Sequence, residues 1–196
     1  MLKLLVLLTA FPAMAESWTK QEEKEGVLLE TREVAQSAFE EIRVTTLHAA
    51  SVGRICDAIW GGNTRVLERG FKKRETLEET ETERWTYERV SAPLARDRDY
   101  TIHVKREAAK DDGCRVAFDV QNDKGPPPQQ GVVRVPAIRG QWEVSRDADQ
   151  RTRVVYTVYS EPGGRVPAFL ARGGQRSSAL EWMKTILSRA QAHASL

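Results

Sequence analysis

Two cysteines and three histidines are all that this 196-residue chain offers in thiol and imidazole chemistry. His48, His103 and His193 lie far apart and lack metal-ligand spacing, so no metal is expected. The chain has no H-E-x-x-H, no G-x-S-x-G, no phosphate-binding loop, no C-x-x-C and no G-x-G-x-x-G. Neither a catalytic residue nor a cofactor is therefore expected. An excess of charge is also lacking: the net charge is +2. The one compact basic run, Lys72-Lys73-Arg74, is followed at once by Glu75 and reads as a solvated strand face. Nucleic acid is not an expected partner. After residue 15 no segment is apolar enough to span a bilayer.

What the chain does have is 40% hydrophobic and 30% charged residues, enough for one globular domain with a substantial core. Residues 1–15 read as a leader outside that domain, residues 16–196. Lys3 is a short positive region, residues 4–11 are apolar, Pro12 breaks them, and Ala13-Met14-Ala15 is an A-x-A cleavage site. A periplasmic or secreted protein cut after Ala15 is expected. Export permits a disulfide. Cys56 falls on the apolar face of an expected helix and Cys114 begins an apolar strand face, so the favoured reading is two buried free thiols, with a bridge as the alternative.

Periodicity sets the order of elements. "GVLLETREV" (26–34) and "FEEIRVTTLHA" (39–49) read as paired strands. Ser51 is a good N-cap for a helix whose face carries Val52, Ile55, Cys56, Ile59 and Trp60, stopped by Gly61-Gly62. Strands follow over 64–78, 83–90, 99–108 and 114–122, with a hairpin tip near Glu78 to Thr82 and a tight turn at Asp111-Asp112-Gly113. "GPPPQQG" (125–131) is a loop, because three prolines do not fit a sheet interior. A strand over 132–145 is interrupted near Pro136 and Gly140, and 151–160 is the last. The glycine pair Gly163-Gly164 turns a corner, with Pro167 opening the final helix. Ser178 and Glu181 read as a capping box, and Gly173-Gly174 as an interruption. From there Leu180, Trp182, Met183, Ile186, Leu187 and Ala190 fill one half of the helical wheel. An antiparallel sheet that bends around one long amphipathic helix is an α+β grip.

In that order, the residues resemble the START family of StAR-related lipid-transfer domains, most nearly its small exported bacterial members. The marks are Gly26-Val27, "RVLER" (65–69), "PLARDRDY" (93–100), "VRV" (133–135), "GQW" (140–142) and "EPGGRVPAFL" (161–170). The resemblance covers about Trp18 to Leu187. It implies a helix-grip fold: an incomplete antiparallel barrel around a hydrophobic tunnel, roofed by the C-terminal helix, that binds a lipid without chemistry. Residues 90–97 and 167–190 would form the mouth. Sterol-binding relatives often bury an acid–arginine pair in the tunnel. Glu88 matches the acid, but Val104 stands at the arginine position, and alternation with Trp85 and Tyr87 inward sets Glu88 outside or near water at the mouth. Sterol specificity is not expected.

The expected ligand-binding residues are Trp85, Tyr87, Ile102, Val104, Val116, Phe118, Val133, Val135, Phe169, Met183 and Leu187. The partner is a lipid or other hydrophobic small molecule, with transient membrane contact and no obligate protein partner. Arg96-Asp97-Arg98-Asp99 reads as a turn and strand entry held by ion pairs. Two other functions compete. An enzyme of the wider helix-grip superfamily, a cyclase or hydrolase, requires Tyr87, Glu88, Asp99 or His103 to converge in the pocket. An envelope-protein interaction module requires the interior to be filled.

Overall fold

The computed structural model describes residues 17–61, 70–91, 96–109 and 113–192. The expected leader, the "RVLER" motif, Pro93, Asp111-Asp112 and His193 lie outside these residues. The chain begins with strands β1 (Thr19–Lys24), β2 (Val27–Glu33) and β3 (Glu40–His48), then helix α1 (Val52–Gly61). Strands β4 (Phe71–Glu79), β5 (Glu83–Val90), β6 (Arg98–Ala108) and β7 (Cys114–Val120) follow. A 3-10 turn, Asn122–Lys124, leads to β8 (Val133–Arg134), β9 (Ala137–Arg146), β10 (Thr152–Glu161) and helix α2 (Ala168–Ala192).

The strands form one sheet in the order β1-β2-β3-β10-β9-β7-β6-β5-β4, antiparallel except where β8 pairs with β6. It is open at β1 and β4, and α2 lies along its concave face. This is the expected α+β helix grip. Val44, Val116, Val144 and Val154 are buried on that face, and they meet Ile55 and Ile59 of α1 and Met183, Ile186 and Ala190 of α2. Ser51 caps α1 as its side chain predicts: Ser51 Oγ accepts from the Arg54 N–H at 3.5 Å.

Several local expectations change. Strand β1 was not anticipated, because TKQEEK has no apolar face and every residue of it is exposed. It is held as an edge strand by main-chain pairing to β2. Gly140 does not interrupt β9. Its missing side chain makes room instead: a Cβ there would stand 2.2 Å from Thr157 O and 2.5 Å from Phe118 Cζ. Ser178 is not an N-cap, because α2 begins ten residues earlier, where the Pro167 carbonyl accepts from Leu170 at 3.1 Å and Ala171 at 3.2 Å. The helix runs unbroken through Gly173-Gly174. The corner before it does need glycine, since Gly163 and Gly164 have φ of 65° and 69°, in the left-handed region.

The cysteines are not free thiols. Cys56 and Cys114 form a disulfide with Cα atoms 6.1 Å apart. The apolar face of α1 and the apolar face of β7 pack on each other, so the burial that suggested two inert thiols is also what brings them within bridging distance.

Candidate functional site

A cavity of about 540 Å³ lies between the concave face and α2, a size typical of small-molecule sites. Of the residues read from sequence as ligand-binding, Ile102 and Val104 of β6, Val116 and Phe118 of β7, and Val135 line it. Trp142 of β9 and Tyr156 of β10 stack with ring centroids 4.2 Å apart, and Phe118 lies 6.1 Å from Tyr156. Burial pushes the Tyr156 hydroxyl far above the usual phenol range. The roof is the side of α2 that carries Ala171, Gln175, Ser178, Trp182 and Ile186. Its N-terminal half is pinned by polar bonds. Gln175 Nε2 donates to Ser160 O at 2.7 Å, Arg172 Nη2 to Ala38 O at 2.7 Å, and Arg176 pairs with Glu40 at 2.7 Å.

Six expected lining residues lie elsewhere. Register explains two of them. Ile102 opposes Thr86 and Val104 opposes Arg84, while Trp85 opposes His103 and Tyr87 opposes Thr101. Directly opposed residues share a face, so Arg84, Thr86 and Glu88 point inward and the two aromatics point outward. Trp85 stacks on His103 at 4.3 Å and donates to Gln121 Oε1 at 2.8 Å. Tyr87 is buried on the outer face, bonded to Asp99 at 3.1 Å and Gln129 at 3.3 Å beneath the proline-rich loop. Asp99 in turn takes Arg134 through two bonds of 2.9 Å, and its charge raises the Tyr87 hydroxyl after burial has done so. Val133 packs by the Gly163-Gly164 corner. Met183 is fully buried in the core, with Leu187 packed against that core. Phe169 is 74% exposed on the first turn of α2.

Inward-facing Glu88 belongs to a polar corner that pattern reasoning missed. Its carboxylate accepts from Arg74 Nε at 2.8 Å, with the two side chains only 6% and 7% exposed. Tyr100 also donates to it; burial first, then the Glu88 charge and this bond, hold the Tyr100 hydroxyl well above its ordinary value. The arginine comes from β4 rather than from the Val104 position. It is also the last residue of the run expected to be solvated. A bulge between Phe71 and Lys73 adds one residue, so Phe71 and Arg74 both turn to the inner face. The Arg74 guanidinium sits 4.1 Å over the Phe71 ring, whose neighbour on α2 is Trp182 at 6.5 Å. Arg98 lines the same cavity, 6% exposed. Of the four residues that an enzymatic site would have gathered, Glu88 alone lines the cavity; Tyr87, Asp99 and His103 are not among its walls.

No protein-family model matches the chain. It is 27% identical over 183 residues to the uncharacterized protein PA1579 of Pseudomonas aeruginosa, covering 91% of this chain and 89% of that one. Among solved structures it is similar to a STAR-related lipid transfer protein fragment from Xanthomonas axonopodis, at 27% identity and a TM-score of 0.77, covering 89% of this chain and 98% of the other. Human StAR-related lipid transfer protein 5 superposes with a TM-score of 0.78 at 16% identity, over 94% and 90% of the two chains. The Zhui aromatase/cyclase of Streptomyces superposes at 0.53 with 17% identity, over 79% and 94%. The last two show likeness of fold alone. An open antiparallel sheet, a long C-terminal helix laid across it and these neighbours together give the chain the START-like, helix-grip fold of StAR-related lipid-transfer domains.

Proposed function

We propose that this chain binds one hydrophobic ligand, a lipid, in the cavity beneath α2 and carries it without chemical change. The observation that carries the reading is the cavity itself: about 540 Å³, walled by Ile102, Val104, Val116, Phe118 and Trp142, inside a START-like fold. Burial of a chain against those walls yields about 25 cal/mol per Å². The reading is also supported by the placement of Tyr87, Asp99 and His103 outside the cavity walls that an enzyme would need them to share. Loading occurs at a membrane surface. Phe169 and Leu170, 74% and 61% exposed, stand beside Ala171 of the cavity wall, so an apolar pair adjoins the roof. The protein works outside the cytoplasm. The leader pattern and the Cys56–Cys114 bridge both favour an oxidising compartment.

A vesicle transfer assay tests the carrier step. Delipidated protein should move a fluorescent lipid from donor to acceptor vesicles, and Phe169→Ser with Leu170→Ser should slow that transfer while leaving the fold intact by circular dichroism. A protein that leaves the transfer rate at its spontaneous value contradicts the proposal.

A further inference from the structure

The cavity's two arginines are not equivalent in how their charge is met. Three carboxylates line the same space. Glu88 is taken by Arg74, Glu40 by Arg176, and Glu161 accepts from the Tyr159 hydroxyl. Among the described residues Arg98 has no carboxylate within ion-pair distance. Its bonds go to two main-chain carbonyls, Arg96 O at 2.6 Å from Nη1 and Pro162 O at 3.4 Å from Nε. Arg74 spends Nε on Glu88, and its Nη1 is buried with no partner. A buried guanidinium has five donors to satisfy, and an unmet charge in a low-dielectric wall is costly.

The two groups share one end of the cavity. Glu88, the partner of Arg74, opposes Tyr100, and Arg98 lies two residues from Tyr100 on the same face of β6, opposite Val90. Away from this end the walls run apolar through Ile102, Val104, Val116 and Trp142.

Resting on the carrier reading above, we infer that the ligand is a single-headed acidic amphiphile, a carboxylate or a phosphate, whose head is held at Arg98 and the open Nη1 of Arg74. Its chain lies along the apolar walls. The head supplies the counter-charge that Arg98 lacks and the acceptor that Arg74 Nη1 lacks. Charge-assisted bonds of this kind are the strong ones, and the guanidinium fork matches both carboxylate and phosphate.

Calorimetric titration of the delipidated full-length protein with three probes of one chain length tests this: dodecanoate, dodecyl phosphate and dodecanol. Binding of at least one acid should be about ten-fold or more tighter than binding of dodecanol. The better acid identifies the head. Arg98→Met should bring the acids to within about three-fold of the alcohol. Arg74→Met combined with Glu88→Gln, which leaves no orphaned carboxylate, should narrow the gap in the same direction. Should either variant fail to fold, the ranking of the three probes on the unaltered protein still decides. Dodecanol bound as tightly as both acids overturns the acidic head and leaves the carrier reading standing. No binding of any probe overturns both.

Discussion

Arg74 and Glu88 are two charges of the ordinary surface type that this chain places inside. They form a buried ion pair, so removing one partner should cost far more than removing both. Arg74→Met should destabilise by about 3–5 kcal/mol, because it strands the Glu88 carboxylate in the cavity wall. Arg74→Met with Glu88→Gln should recover a good part of that loss. Urea unfolding of the two variants measures the difference; equal losses would mean that the pair is worth nothing beyond its separate parts. The corner was hidden in the sequence for an identifiable reason. A strand read by strict alternation sets Phe71 and Lys73 on one face, and a single bulge residue hands that place to Arg74. Trp85 and Tyr87 misled in the opposite direction. Their bulk suggested an interior face, yet their outer face is itself covered, by His103 and Gln121 around Trp85 and by Gln129 and Asp99 around Tyr87. One clue was present: Ile102 and Val104 alternate with His103, and a partner strand in this register carries Thr86 and Arg84 on the same side.

At the scale of elements, two glycine sites act in opposite ways. In β9, Gly140 is where the sheet's own backbone and the Phe118 ring come closest. Gly140→Ala should destabilise by about 1–3 kcal/mol, read as a lower denaturation midpoint, because the Thr157 carbonyl cannot step aside. In α2, a Cβ at Gly173 or Gly174 meets nothing within 4 Å. Alanine at both should therefore stabilise the helix by roughly 1 kcal/mol per site. Both glycines sit between Arg172 and Gln175, whose bonds pin the roof to Ala38 and Ser160. If the roof lifts there, the double alanine variant should also slow release of a fluorescent lipid. Raised stability with an unchanged release rate would leave the pair as weak helix positions and remove the hinge. The helix itself was legible from Leu180 onward, where the apolar half of its wheel is continuous. Its start was legible too, at Pro167; what misled was the glycine pair, which read as a break but lies inside one continuous helix. Edge strand β1 was illegible: only its main chain, not its side chains, holds it to the sheet.

For the whole molecule, the disulfide ties α1 to β7 across 58 residues of sequence, spanning β4, β5 and β6. Cross-linking a loop of that length restricts the unfolded chain, and Cys56→Ala with Cys114→Ala should cost roughly 2–5 kcal/mol. A reduced protein that melts at the same temperature as the oxidised one would show that packing of α1 on β7 suffices. The α+β grip was readable because it follows from element order: many antiparallel strands, one long amphipathic helix at the end, and a glycine corner between them. The cavity was legible through the family resemblance and not from the residue pattern. Core and pocket lining demand the same apolar residues: Met183 and Ile186, three apart on α2, both belong to the buried core, yet Ile186 also lines the cavity.

The account stands on a guest occupying that space. Native mass spectrometry of protein purified without detergent from its own organism measures it directly. The account predicts a one-to-one adduct of lipid mass, lost on delipidation and regained when the protein is returned to lipid. Protein that flies only at its bare mass, before and after exposure to lipid, would contradict it.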